Sequence, residues 1–488
     1  MDWAKPHMNK VIDELQLKKS YYLDVTVQNN GTHFVGKLSL TPSSCGLTIS
    51  GDILDDRRPE FDRYAINQLA CDHHGATLIL FDLKGRGGNF WQVTRHPKLL
   101  SHFEITYEVS YVIYSRSSLS GNSGYFEIEF DSTSIARWIG YTKSQDDIVA
   151  MYNQGTLFPY PDNLPAEFEQ ALENIGKLSV CYYPSTSHSV ADFSMGLHFA
   201  PMLTLSFIGN KAGAQAIECL NEIRTVFSFL IGEELDLNAV RLTMANGRMR
   251  RASMYFPNAQ TNSQGDIYPW FPLGKNLRID HMGLPEFPSA SFDTYFKLSE
   301  QERLFFKKYL KYRSLENPEE RFLGYFRLLE KVCHEKASYL PSDKLEKLLR
   351  RVSPFIVRYF SDKKNVESLL ERVIHVNTLK LNAASFIGKL LKRLPVKLTS
   401  RWVYKRSDIN AICKLRNDLT HANELEPDEL GVENKAKFIE VLLVVSLLEK
   451  IGVPLEVGAR IAPRLKRYHL IEKPVSPVIS VRAPEAQP

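Results

Sequence analysis

Cysteine is scarce in this chain. Six occur in 488 residues, at positions 45, 71, 181, 219, 333 and 413. They form no C-x-x-C pair and no dense framework, which argues against a disulfide scaffold and for reduced, mostly buried thiols in a cytoplasmic protein. Long apolar runs are missing too. No segment reaches about eighteen consecutive apolar residues, so no membrane span and no membrane partner are expected. The first residues, "MDWAKPHMNKVIDELQ", lack the apolar stretch of a signal peptide. Charge of one sign is also lacking: 61 Lys and Arg against 56 Asp and Glu leave +5. That value neither requires nor excludes a nucleic-acid partner, and the distribution of charge matters more. With 44% apolar and 24% charged residues, the chain is globular rather than disordered and long enough for several domains.

The texture changes near residue 290. Before it, short β-prone runs such as "YLDVTVQ", "ATLILFDL", "FEITYEVSYVIY" and "YFEIEFD" are separated by Gly, Asn, Ser and Pro. Their near-alternation predicts antiparallel sheet with one buried face, not a doubly wound nucleotide fold. One helix is expected within this region, carrying Ile217, Leu220, Ile223, Val226 and Leu230 at helical spacing. Residues 1–290 read as a β-rich sensor or regulatory region, with an internal boundary near 170 as one option. Residues 291–460 read as an all-α bundle of six or seven amphipathic helices with short connections. Asn317, Pro318 and two glutamates mark one helix start, and Ser342 or Asp343 is expected to cap the next helix. "NKAKFIEVLLVVSLLEKIG" is apolar on all sides in its middle, as in a buried or interfacial helix. Residues 461–488 form a C-terminal extension ending in a Pro-rich stretch expected to be a loose tail. The fold class is therefore multidomain α+β.

Chemistry concentrates in "SDINAICKLRNDLTHANEL". Ser407 or Asp408 is placed to cap a short helix whose apolar stripe is Ile409, Ile412, Leu415 and Leu419. Arg416 offers a fork of donors suited to a phosphate. His421 exchanges protons near neutral pH. Asn417 lies four residues before His421, on its face, and can orient it or bond a phosphate. On an ideal helix Arg416 and His421 stand about 140° and roughly 7.5 Å apart. They can line one rim but do not easily grip one phosphate alone, and two such helices across a symmetric dimer would solve this. The expected reaction is attack of an RNA 2'-hydroxyl on the adjacent phosphate, leaving a 2',3'-cyclic phosphate and a 5'-hydroxyl. No metal or other cofactor is called for. The bland alternative is a surface arginine and a histidine favoured by the helix C-terminal dipole.

From Lys380 to Arg416 there are ten Lys or Arg and one acid, Asp408. Lys389, Lys392, Arg393, Lys397, Arg401, Lys405 and Arg406, with Trp402 and Tyr404 interleaved, are candidates for guiding and stacking RNA. A solvated helix surface, or a face meeting an acidic domain, is the alternative. Glu330 and Thr420 are possible supports of the site. An ordinary exposed glutamate is the slightly preferred reading of Glu330, and His375 is weaker still.

The R-x-x-x-x-H string resembles the motif of HEPN ribonucleases. The resemblance covers roughly residues 295–460: "LRNDLTHAN" precedes a long apolar helix, and "RFLGYFRLLEKVC" is similar to an early core helix of HEPN domains. The order of parts resembles ApeA-like HEPN proteins of bacterial antiphage defence. That resemblance implies catalytic roles for Arg416, Asn417 and His421, an endoribonuclease acting without a divalent ion, transfer RNA among its candidate substrates, a homodimer through the helical domain, abortive infection as the outcome, and a phage-derived protein trigger at the N-terminal region.

Other strings persuade less. Cys71, Asp72, His73 and His74 are plausible ligands, but four consecutive side chains diverge and do not readily converge on one ion. "KGRGG" at 84–88 lacks the spacing and following helix of a phosphate loop and reads as a hairpin turn. The main rival to the ribonuclease is a noncatalytic RNA-binding or scaffold protein. A different phosphoryl transfer, or a regulated partner of a nucleotidyltransferase, is the third reading.

Overall fold

The computed structural model describes residues 12–473 apart from 30, 55–60, 62–63, 96–97, 120–122, 159–163, 190–193, 247, 259–268, 275, 278–282, 334–337, 378–382 and 422–428. The Pro-rich end and Lys380 lie outside the described residues. Two compact units emerge, one of residues 1–282 and 286–297, the other of residues 283–285 and 298–488. A β-rich region is thus followed by an all-α one.

The first unit holds β1 (Tyr21–Asn29), β2 (Thr32–Leu40), β3 (Cys45–Leu54), β4 (Ala65–His73), β5 (Ala76–Arg95), β6 (Lys98–Glu108), β7 (Tyr111–Ser115), β8 (Tyr125–Ser132), β9 (Ala166–Leu172), β10 (Gly176–Ser189), β11 (Ser194–Lys211), β12 (Leu237–Asn246) and β13 (Arg248–Tyr255). The sheet order is β4-β1-β2-β3-β6-β5-β7-β13-β12-β8-β11-β10-β9, and β4 also pairs with β5. That extra pairing closes β4, β1, β2, β3, β6 and β5 into a six-stranded antiparallel barrel, and closure removes edges open to aggregation. Leu23, Val25 and Val27 on β1, Leu47 and Ile49 on β3, and Phe103, Ile105 and Tyr107 on β6 alternate inward. β5 joins the barrel to the remaining strands. Phe81 pairs with Tyr111 of β7, Lys84 with Glu108 of β6. Leu78, Ile79, Leu80 and Phe81 are therefore buried on both faces, which explains the continuous apolar run there. β8, before residue 170, pairs with β11, after it.

"KGRGG" is not a hairpin turn. It lies inside β5, where the register with β6 shifts between Gly85 and Gly87. Glycine within a strand accommodates such a bulge. The expectation of one helix is also corrected. Besides α3 (Gly213–Ile231) there are α1 (Thr133–Ile139) and α2 (Lys143–Asn153), too short for a strong periodic signal. α3 ends at Gly232, whose φ is +75°, and a Cβ there would meet the Trp270 ring at 2.2 Å. Trp138, Phe227, Phe287 and Phe292 form an aromatic cluster that seats α4 (Ala290–Lys297) in this unit. The buried Tyr295 hydroxyl donates to Glu222 at 2.6 Å.

The second unit is helical: α5 (Glu300–Arg313), α6 (Pro318–Val332), α7 (Ser342–Phe360), α8 (Lys363–Asn377), α9 (Ala383–Arg393), α10 (Val396–Thr399), α11 (Ile409–Thr420), α12 (Glu429–Lys450) and α13 (Leu455–Ile461). Asn317 caps α6 through bonds from the amides of Glu319 (2.8 Å) and Glu320 (3.3 Å). Ser299 and Glu302 make a reciprocal box at the start of α5. α7 departs from expectation: Pro341 occupies its cap position with no side-chain bond, and Ser342 is already helical. α12 is the centre of the bundle, buried from Phe438 to Leu448, and pairs most extensively with α6. Its buried Glu440 accepts from the Tyr309 hydroxyl at 3.1 Å and is ion-paired with Lys437. Burial pushes this carboxyl up, but Lys437, Arg313 and Tyr309 together hold it below its ordinary range. α7 and α8 pack chiefly on each other. Asn377 fastens the base of this hairpin by bonding both the amide (2.9 Å) and the carbonyl (3.0 Å) of Leu340. Among the described residues no helix is long and apolar enough to cross a membrane.

Candidate active site

α11 is preceded by a short 3-10 turn, Arg406–Asp408. Asp408 does not cap α11 as anticipated. Its carboxylate instead accepts from the Lys405 amide at 2.6 Å and closes the turn. Ile409 and Ile412 are buried, while Leu415 and Leu419 are half-buried. This stripe sets α11 against α6 and α9.

Arg416 is the anchored member of the motif. Its Nη2 donates to both carboxylate oxygens of Glu330 on α6, at 3.0 and 3.3 Å. Its Nη1 donates to Asn417 Oδ1 at 3.0 Å. The guanidinium carbon stands 5.7 Å from the centre of the Phe326 ring, one turn before Glu330 on α6. Nε is buried without a hydrogen-bond partner, a donor left over after the fork is filled. Glu330 is thus no ordinary exposed glutamate. Sequence spacing gave no preference for it because 86 residues separate the pair. Phe326 is a contact that the sequence reading missed. Thr420 donates to the Arg416 carbonyl at 2.7 Å, a bond along the helix that leaves the guanidinium untouched. His421 is exposed and terminates α11, with its amide on the Asn417 carbonyl at 3.0 Å. Arg416 and Asn417 are brought together, and His421 sits one turn further along the same helix end. Cys413 is near enough to feel the pair. Burial, then the Glu330 charge, push its thiol up, while Arg416 opposes them. His375 lies exposed on α8.

The basic stretch does not form one open track. Trp402 is fully buried, its Nε1 donating to the Tyr468 hydroxyl at 2.7 Å, so it is not a surface platform for bases. An indole needs a partner for its N–H once buried, and the C-terminal extension supplies it. Tyr404 stacks obliquely on Phe438, ring centres 5.1 Å apart. Arg393 is paired with Glu449, and Arg401 with Glu472 at 3.4 Å. Lys405 donates to the Thr399 carbonyl at 2.8 Å. Lys389, Lys392, Lys397 and Arg406 are exposed. Lys389, Lys392 and Arg393 border an open groove of about 530 Å³ between α6, α9 and α12.

Among the described residues no cluster of three or more His, Cys, Asp or Glu is placed to hold a metal ion. In the 71–74 string, Cys71 is buried, and burial pushes its thiol up to about 12. Asp72 accepts from Gln28 at 2.8 Å, and His73 Nδ1 lies 2.7 Å from the Asp24 carbonyl. None of the six cysteines is in a disulfide, and of the six Cys45 and Cys71 are fully buried.

No curated protein and no solved structure matches the chain. A family model described as ApeA N-terminal domain 1 matches residues 21–281, which is 261 of 488 residues. This match spans the barrel, the remaining strands and the helices that cover them. The chain belongs to the ApeA family.

Proposed function

We propose that this protein is an endoribonuclease of antiphage defence whose helical unit carries the HEPN-type site Arg416, Asn417 and His421. The observation that carries this reading is the Arg416 fork, held by Glu330 and Asn417 at the end of α11, with an exposed histidine one turn on. A guanidinium held in place can stabilise the charge that gathers on a five-coordinate phosphoryl centre without a divalent ion. The 2'-oxygen attacks phosphorus as its proton passes to a base, the bond to the 5'-oxygen breaks, and that oxygen takes a proton. The products are a 2',3'-cyclic phosphate and a 5'-hydroxyl. One imidazole cannot be base and acid at once, so a homodimer gives each His421 one role. Transfer RNA is a candidate substrate, and the β-rich unit is the regulatory part, where a phage-derived protein would act as trigger.

A surface suited to self-association supports the dimer. Leu348, Val352, Phe355 and Tyr359 on α7 recur at steps of four, three and four residues, and Leu369, Val373 and Val376 on α8 at four and three. All are exposed, Phe355 at 73% and Tyr359 at 82%. That spacing is the seam of a helical bundle, and two hairpins meeting face to face would complete one.

A second reading, a noncatalytic RNA-binding protein, draws on the same ion pair, since a guanidinium shared with Glu330 can serve the fold alone. RNA cleavage in EDTA separates the two. Wild type is expected to give cyclic phosphate ends, with a loss of roughly 100-fold or more in His421→Ala and Arg416→Ala. Folded variants that cut as well as wild type would remove the catalytic assignment.

A further inference from the structure

We propose that the polar face of the sheet in the first unit is a binding site for a primary ammonium group. The register gives this sheet two unlike faces. Leu242, Ile128, Leu205 and Leu178 lie side by side across β12, β8, β11 and β10, and all are fully buried. Alternation turns their neighbours along each strand to the opposite face. There Arg241, Glu129, Thr204 and Ser179 form one row, and Thr243, Glu127, Ser206 and Lys177 form the next. Glu127 and Glu129 thus share a face of β8, two residues and about 7 Å apart along the strand. Glu127 is supplied with donors, the Ser206 hydroxyl at 3.1 Å and the Thr243 hydroxyl at 3.5 Å. Glu129 is not. Its side chain is only 5% exposed, yet no described residue donates a hydrogen bond to it.

A buried carboxylate needs a counter-charge and donors. The cation opposite Glu129 in the register is Arg241. It is engaged by Glu14 instead, with Nε and Nη2 at 2.8 and 3.2 Å from the two carboxylate oxygens. Lys177 is held by Glu169 at 2.9 Å, and Asp131, the next acid along this face of β8, accepts from Asn238 at 3.1 Å. Arg251 comes nearest to Glu129. Its Nη2 stands 3.9 Å away, beyond hydrogen-bond length, on a side chain that is 67% exposed. Burial foremost, with the Glu129 charge adding to it, pushes the Glu127 carboxyl up, as happens where negative charge is in excess. An ammonium is a compact charge with three donors, enough for both carboxylates and a neighbouring hydroxyl. An anion would be repelled, and a neutral ligand would leave the charge unanswered. A metal ion would find too few ligands, since no three His, Cys, Asp or Glu are placed to hold one among the described residues. The amine is either a free diamine or the lysine side chain of a docked protein. The site lies wholly in the β-rich unit and does not rest on the ribonuclease reading.

The test is calorimetry on the full-length protein, titrated with n-butylamine, n-butanol, putrescine, magnesium chloride and a tripeptide carrying one central lysine between blocked ends. n-Butylamine is expected to bind one to one, about tenfold or more tighter than n-butanol, which has the same chain without the charge. Glu129→Gln keeps the shape of the side chain and should weaken the amine about tenfold or more. Its melting temperature should hold or rise, because an unanswered buried charge is removed, whereas a purely structural pairing of Glu129 with Arg251 would make it fall. Since a variant at a buried position can fail to fold, the exposed Arg251 gives a second test with the opposite sign. The ligand takes the place of the arginine, so Arg251→Ala should tighten amine binding several-fold. Putrescine binding with the tripeptide silent assigns the site to a free diamine, and tripeptide binding assigns it to a protein lysine. Weaker amine binding in Arg251→Ala would overturn the proposal. So would full affinity in Glu129→Gln, n-butanol binding as tightly as n-butylamine, or magnesium displacing the amine from wild type but not from Glu129→Gln.

Discussion

Trp402 is held in the helical unit by both ends of its side chain. Its ring meets Phe438 edge-on at 5.8 Å, and its N–H is spent on Tyr468. Truncation to alanine is expected to cost about 3–5 kcal/mol. Trp402→Phe keeps most of the apolar body but leaves the Tyr468 oxygen without its donor, at about 1–3 kcal/mol. Urea denaturation measures both, and the folded phenylalanine variant should bind RNA as wild type does. Lost affinity with unchanged stability would return Trp402 to a stacking role. Aromatic residues among basic ones have the same composition in a core as on an RNA platform, so only the partner, 66 residues later, decides. Arg416, Asn417 and His421 were legible because the motif is local. Glu330 and Phe326 were not, since they reach Arg416 from another helix. Arg393 and Arg401 looked free because Glu449 and Glu472 lie far along the chain.

Helix starts were readable where the cap is a side chain. Asn317 and the glutamates after it behave as their chemistry requires, while Pro341 and the 3-10 turn before α11 take cap positions through backbone conformation, which composition does not encode. The start of α5 carries a pH dependence. Glu302 accepts from Lys450 at 2.7 Å, and from the hydroxyl and amide of Ser299 at 2.8 and 3.1 Å. Lys450 first, then Ser299, pull its carboxyl from 4.5 down to about 2. A carboxyl depressed in the folded state contributes stability that is full above its unfolded value and is lost as pH falls through the folded one. The contribution should therefore disappear between about pH 4.5 and 2. The carboxylate is 35% exposed, so solvent screens it and the effect is small. Lys450→Met should lower the melting temperature at pH 7, and its difference from wild type should shrink toward pH 2. A constant difference would show that packing of Lys450, not charge, is what the substitution removes.

At the scale of the molecule, strand texture was legible from alternation, but barrel closure was not. β4 meets β5 through a tight turn, yet the ring also needs β3 on β6 across about fifty intervening residues. The exposed seam of the α7–α8 hairpin carries the prediction at this scale. Leu348→Glu combined with Phe355→Glu should halve the mass seen by light scattering and abolish cleavage, with helix content unchanged. An unaltered mass would place the dimer elsewhere or remove it. The end of the helical unit has a further consequence. The segment that leads into α11 is tied down by residues made well after it: Trp402 bridges to Glu472, the Val403 amide bonds the Ile471 carbonyl at 2.8 Å, and the Lys473 amide bonds the Arg401 carbonyl at 2.8 Å. A ribosome that has translated His421 has made every letter of the motif but not the clasp that holds its leading loop. Through the next fifty or so codons the nascent chain carries an unclasped motif, so assembly of the complete helical unit waits for the segment 468–473.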